Sequence, residues 1–429
     1  MLQELQETKY PRMLSSIGFH TFTMFLLLTF SEALKLYRDF QNCAAVRVRP
    51  YDHDKRSPNA MPKGYIVEYL EKGIGIRWHI RFNSEVKEYS SMTFNHSYQK
   101  EHKPYSVRVT INPKILSGMK DYLSAANADS LDQVEDNYNV KAAEISPILG
   151  KFEDYRPNQV DYCFNFDPLE ISMGCNVDRL FTLIRRGKIP THFTEAEGEY
   201  CDKSKRFKPY KDDFRLKCKS MTISCYRKYA QLKKRFPDCP DIELSRNVIR
   251  FEVKCKYSKI YSMSKSIKKT MLDDLTYDDF IEEVRFGGVV NPTKNLLCDT
   301  FTEKIICKYL YEIIRKGDYF TLEGARWMVK SYNFRQDKET RLLNTLNLVN
   351  EHRGIAKTLS KLQGNKLSDV KRSLKDLDVI FVNPVTIPRK WGISHIPNPM
   401  RAYNDSMYAC IFFEPERLFI KRVEEYLAK

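Results

Sequence analysis

A tyrosine can cut a phosphodiester when its oxygen is activated and the scissile phosphate is polarised. The segment Ser224-Cys225-Tyr226-Arg227-Lys228-Tyr229 sets such a residue among cations. Just downstream, Arg250-Phe251-Glu252-Val253-Lys254-Cys255-Lys256 alternates strictly. In a strand, Arg250, Glu252, Lys254 and Lys256 share one face, while Ile249, Phe251, Val253 and Cys255 feed a core from the other. Upstream, Asp161, Cys163, Asn165 and Asp167 share a face of a third strand, with Val160, Tyr162, Phe164 and Phe166 opposite. A carboxylate on each of two adjacent strands can hold one Mg²⁺ or Mn²⁺, and Asp161 with Glu252 is the best pair. Asp167, before Pro168, serves equally well as a third ligand or as a turn or cap residue. Lys228 and Arg250 can neutralise charge in a phosphoryl transition state. A surface salt-bridge ladder would show the same alternation.

The charge balance points to the same place. The chain has 429 residues, with 71 Lys+Arg against 55 Asp+Glu and a net charge of +16. Residues 201–275 hold 21 Lys+Arg and 9 Asp+Glu, so +12 of the excess lies around the tyrosine and the carboxylate strand. Such a stretch is either a solvated basic face or a bed for a polyanion. Hydrophobic residues at 42% exclude a wholly disordered chain, and a mean hydropathy of −0.51 excludes a polytopic membrane protein. The 11 cysteines are odd in number and dispersed without a CxxC pair, which predicts reduced thiols, no zinc site and a cytoplasmic setting.

The elements that must position these residues follow from periodicity. Gly64 to Leu70, Gly75 to Phe82 and Tyr105 to Ile111 predict strands, with a hairpin turn at Glu71-Lys72-Gly73. Asn112-Pro113 stops the third strand and opens a short helix. Val177 to Arg186 predicts a helix, Met221 to Tyr226 a strand, Arg227 to Arg235 a helix, and Asn247 to Lys256 a strand. Residues 123–150 carry no clear period. Met13 to Phe30 is mostly apolar; a buried or capping helix is preferred there, with a signal peptide or membrane anchor as the alternative. From Thr276 to Leu377 the pattern is helical, through TYDDFIEEV, TEKIICKYLYEIIRKG, TLEGARWMVKSY and TRLLNTLNLVNEH. The division is therefore an N-terminal helical extension (1–43), an α+β domain with an antiparallel sheet (44–270), and a helical C-terminal domain (271–429).

Within the last domain, Gly354 to Leu362, Gly364-Asn365 and Lys366 to Leu377 predict helix, turn, helix. Asp378 to Asn383 is the expected wing strand of a winged-helix-like segment, 354–383. Lys371, Arg372 and Lys375 fall near the exposed face of its second helix, where a phosphate backbone is the natural target. Helix pairs of this kind also mediate protein contacts.

Together these segments resemble the rolling-circle replication initiators of the filamentous-phage gene II protein type. Thr222 to Leu232 (TISCYRKYAQL) is similar to that family's strand–Tyr–x–Lys segment, and Asn247 to Lys254 (NVIRFEVK) to its hydrophobic–Arg–Phe–Glu strand. Val160 to Asp167 stands where the family has an Asp-bearing strand, so the likeness covers roughly 100–270. The resemblance implies a nicking and joining domain in which Tyr226 attacks one DNA strand and becomes linked to the 5′ phosphate. Asp161 and Glu252 would hold the divalent ion, with Lys228 activating Tyr226 or holding the phosphate. The partners implied are double-stranded origin DNA, single-stranded DNA, host helicase and polymerase, and a second copy in a homodimer. Lys254 and Lys256 would contact DNA. The chain departs from initiators that bind metal through a His-hydrophobe-His pair, since its eight His, among them His79 and His96, are scattered. Tyr229 is within reach as a second nucleophile if a helix has begun there, though packing is its simpler role. The competing classes are a non-catalytic DNA-binding regulator and an RNA-processing enzyme; for the latter, no deaminase, P-loop or zinc signature is present.

Overall fold

A hydrophobic strand, not a helix, opens the fold. The computed structural model describes residues 16–51, 64–81, 105–119, 123–171, 175–196, 199–201, 206–208, 212–264, 292–407 and 414–428. In it β1 (Ser16–Leu28) lies between β5 (Tyr105–Ile111) and β6 (Arg156–Phe166), inside a ten-stranded antiparallel sheet. The expected helix over 13–30 is thus corrected for its described part, and with it the separate extension 1–43. The physical reason is the partner supply: an apolar run suits a buried strand or a buried helix, and here β5 and β6 offer hydrogen-bond partners along both edges. Phe19, Phe22 and Met24 are fully buried. Thr29 then ends the strand by capping α1 (Phe30–Asn42), in a capping box closed by Glu32. Among the described residues no helix is long and apolar enough to cross a membrane.

The remaining strands are β2 (Val46–Tyr51), β3 (Gly64–Tyr69), β4 (Ile76–Arg81), β7 (Thr194–Glu195), β10 (Asp213–Lys217), β11 (Met221–Arg227) and β12 (Ile249–Cys255). A separate hairpin pairs β8 (Glu199–Cys201) with β9 (Arg206–Lys208). The order across the large sheet is β2-β3-β4-β5-β1-β6-β12-β11-β10-β7. The β3–β4 hairpin turns as expected, with Gly73 and Gly75 at φ of 90° and 80°. Residues 123–150, without period in the sequence, contain α2 (Leu131–Ala143).

One sheet face is apolar and helix-covered. α1 reaches it through Phe40 against Trp78. α3 (Val177–Arg185) contributes Leu180, Leu183 and Ile184, and α4 (Lys228–Arg235) follows β11 directly. α5 (Asp299–Ile314), the first long helix described in the C-terminal half, adds Ile305, Ile306, Leu310 and Ile313 to the same core. The domain boundary expected at 270/271 and the segment TYDDFIEEV lie outside the described residues.

A second core joins α6 (Leu322–Ser331), α7 (Gln336–Glu351), α9 (Gly364–Val379) and α11 (Glu414–Leu427), with α8 (Ile355–Lys361) and α10 (Pro399–Met407) beside them. Two short strands, β13 (Tyr319–Phe320) and β14 (His395–Ile396), pair at its edge. The helix–turn–helix of 354–377 is present as α8 and α9, but the expected wing is not a strand. Helix α9 continues through Asp378 and Val379, and only Val382 bridges, to Asp318.

Candidate active site

The polar face of β1, β6, β12 and β11 is arranged in three rungs. Tyr226 pairs Arg250, which pairs Asn165, which pairs Ser16. The next rung is Ser224, Glu252, Cys163 and Gly18, and the third is Thr222, Lys254, Asp161 and Thr21. The strict alternation of β12 sets this order, because a one-residue slip would bury the charges. Phe251, Val253 and Cys255 point the other way and are fully buried.

Along the diagonal between the first two rungs, the Tyr226 hydroxyl donates to Glu252 Oε2 at 3.1 Å. Burial, then the Glu252 carboxylate, pushes the Tyr226 pKa well above its ordinary value. Arg250 is buried and donates through Nε to Asn165 Oδ1 at 2.6 Å, while its Nη1 has no hydrogen-bond partner. Burial works against charge on Arg250, but Tyr226, Cys163 and Glu252 around it outweigh that and raise its pKa.

Lys228, at the strand-to-helix junction, is buried and donates to Gln231 Oε1 at 2.9 Å. Burial first, and Arg250 next, pull its pKa down to about 6. Asp161 accepts from Lys254 Nζ at 2.9 Å and from the Thr21 hydroxyl at 2.8 Å. Burial raises its pKa to about 6, with Lys254 opposing and Glu252 adding to the rise.

The fold thus brings Tyr226, Lys228, Arg250, Glu252, Lys254 and Asp161 onto one patch. Asp167 is not among them. It lies six residues along β6 from Asp161, about 20 Å in an extended strand, too far to share an ion. Its carboxylate accepts from Leu169 N at 2.8 Å, the turn role that Pro168 suggested. Lys256 lies one residue beyond β12, at the start of a helix over 257–264. Tyr229 is on the first turn of α4, with Arg246 and Lys233 against its ring. Lys371, Arg372 and Lys375 are exposed on α9.

The sequence reading missed His20. A β-bulge between Phe19 and Thr21 sets it out of the β1–β6 register, and such bulges re-aim side chains. Burial, followed by Arg250, Lys228, Lys114 and Lys254, drives its pKa well below the usual range. Lys114, also missed, is buried and donates to Ser124 O at 2.8 Å. Three cations, with Lys228 as a fourth once it is protonated, therefore surround two carboxylates, a setting that favours an anionic ligand.

Asp161 and Glu252 occupy diagonal positions, about 7–8 Å apart on the backbone. Among the described residues no group of three or more His, Cys, Asp or Glu could close around a metal. A two-carboxylate set still fits Mg²⁺, which is commonly held by one or two carboxylates together with substrate phosphates.

No family model matches the chain. No curated protein matches it either. Among solved structures it is similar to a rolling circle replication initiator protein from Geobacillus stearothermophilus, with 7% identity and a TM-score of 0.28. That alignment covers 65% of this chain and 85% of the other.

Proposed function

We propose that this chain is a DNA replication initiator that nicks one strand at an origin through a tyrosine-phosphodiester intermediate and rejoins it. The observation that carries the reading is the Tyr226–Glu252 hydrogen bond inside a ring of cations. In the nicking step the Tyr226 oxygen bonds to phosphorus as the bond from phosphorus to O3′ breaks. The tyrosine proton passes to Glu252, and O3′ takes a proton from Lys228.

Lys228 is mostly neutral near pH 7 in the DNA-free protein. An arriving phosphate raises its pKa and makes it the ammonium the leaving oxygen needs. Arg250, Lys254 and Lys114 neutralise the charge that builds on the phosphate. Asp161 and Glu252 would hold a Mg²⁺ or Mn²⁺ ion, which supplies polarisation of the phosphate oxygens when bound. The phosphotyrosine preserves the phosphodiester energy, so a later attack by a 3′ hydroxyl reseals the strand. Host polymerase would extend the freed 3′ hydroxyl, with host helicase opening the duplex. The exposed cations Lys371, Arg372 and Lys375 would contact the duplex backbone.

A second reading, a non-catalytic DNA-binding regulator, draws support from the Lys254–Asp161 pair and the tightly held Tyr226 proton. Supercoiled plasmid carrying the element's own origin, incubated with protein and Mg²⁺ or Mn²⁺, separates the two. Nicking with a denaturant-stable adduct is expected, and Tyr226→Phe should lose both while keeping DNA binding. Nicking that persists in Y226F removes Tyr226 as nucleophile. A wild-type protein that binds but never nicks leaves the regulator.

A further inference from the structure

A second cationic cluster lies where the sheet domain meets the C-terminal helices. The chain leaving α3 at Arg186-Gly187 runs against the chain entering α8 at Gly354 to Ala356. Ile355 N donates to Arg186 O at 2.8 Å, and Ala356 N to Gly187 O at 3.2 Å. The approach needs glycine at 354, and Gly187 is held as closely against the end of α5. A Cβ on Gly354 would stand 2.8 Å from Arg186 O, and one on Gly187 2.4 Å from Ile313 O. These contacts make the seam a fixed junction.

Beside it opens a cavity of about 350 Å³, lined by Arg185, Arg186, Arg353 and Lys357 together with Thr182 and small residues. Among the described residues no carboxylate lines it. Burial and the neighbouring Arg353 both act against the charge of Arg186, so like charges crowd this lining. Lys188 lies beyond the cavity in a mixed surrounding, its charge opposed by burial, Arg315 and Lys371 and favoured by Glu312 and Asp378.

We propose that this seam binds the sugar–phosphate backbone of duplex DNA, as a site separate from the nicking face. The proposal rests on DNA being the partner, as in the function above, but not on the chemistry of Tyr226. Four lining cations without an acid call for a polyanion. No lining residue is aromatic, so bases have no stacking platform, and a backbone contact is favoured over a single strand held by stacking. The site is also on the other side of the sheet from Tyr226. Arg227, one residue on, points to the helical side, where its guanidinium and that of Arg185 both lie against the Phe181 ring. Removing the seam's cations should therefore weaken DNA binding and leave the chemical step alone.

The test uses the full chain and a fluorescent 30-base-pair duplex, titrated over a salt series. Arg353 and Lys357 are exposed, so R353Q/K357Q is expected to fold, checked by an unchanged melting curve. The slope of log K against log salt should fall by about 1.8, because two phosphates are no longer neutralised. Affinity near 0.15 M salt should drop roughly tenfold, with kcat for nicking at saturating DNA unchanged and R353K/K357R close to wild type. An unchanged slope and affinity in R353Q/K357Q would overturn the seam site while leaving the proposed function intact. A wild-type protein that binds no duplex overturns both. Loss of inorganic pyrophosphate binding with duplex binding unchanged would overturn the DNA assignment in favour of a small phosphate ligand.

Discussion

The Tyr226 hydroxyl and the Glu252 carboxylate meet across two neighbouring strands, with the tyrosine as donor at 3.1 Å. A carboxylate in this position both holds the proton in the resting state and receives it during attack. Glu252→Gln should lower the single-turnover rate of adduct formation by about 10²–10⁴-fold, with DNA binding within roughly twofold. Because the Glu252 charge contributes to the raised pKa of Tyr226, the same variant should bring that pKa down in an ultraviolet titration. An adduct rate equal to wild type would remove Glu252 as proton acceptor.

Lys228 makes stability depend on pH. Its pKa is about 6 in the fold against 10.5 for the free side chain, so the unfolded chain binds more protons between those values. Stability should rise as pH increases across that window. Lys228→Met should be about 1–4 kcal/mol more stable near pH 7 and should lose this slope, while its nicking collapses. Urea unfolding at pH 6, 8 and 9.5 checks both effects.

Asp161 gives the opposite trend at lower pH. Its pKa is raised from 3.8 to about 6, so the fold binds the extra proton in that range. The stability it contributes is complete below pH 3.8 and is lost as pH rises through 6. Asp161→Asn should flatten this limb in acid-range denaturation. A divalent ion must find the ionised carboxylate, so Mn²⁺-supported nicking should decline below pH 6, and chelation should stop it at any pH.

In the C-terminal core, Asp318 is fully buried and accepts from His395, Arg401 and the Asn398 backbone. Burial alone would raise its pKa, but Arg401 and His395 win and lower it. Its contribution is therefore present at neutral pH and is lost as pH falls through the lowered value. Asp318→Asn should destabilise the protein by roughly 3–5 kcal/mol, because the half-buried Arg401 loses the counter-charge that the fully buried Asp318 supplies. A thermal melt within 1 kcal/mol of wild type would contradict this.

What the sequence revealed depended on whether a pattern had one interpretation. The alternation of Ile249 to Cys255 has one, and it set both the strand and the face carrying Arg250, Glu252 and Lys254. The run from Met13 to Phe30 has two, since an apolar stretch suits a buried strand as well as a buried helix. The signal that could have decided it was Thr29-Phe30-Ser31-Glu32, a capping box that starts a helix where the run ends. His20 was hidden with the strand that carries it, and its exposure to the site arises from a bulge that no local spacing encodes. Asp161 and Asp167 were two carboxylates on one predicted face, and only strand rise separates them. In the C-terminal half, the hydrophobic residues of Asp378 to Asn383 suited a strand, yet helix α9 extends into them.

The place of β1 has a consequence for how the protein is made. It leaves the ribosome first among the described strands, yet its partners are β5, about 90 residues later, and β6, with Ser16 pairing Asn165. During translation an apolar strand must wait with both edges open until residue 111 has emerged and with one edge open until residue 166 follows, a state prone to non-native pairing. Nascent chains halted before residue 156 should be captured by chaperones or aggregate, and release should follow once β6 is out.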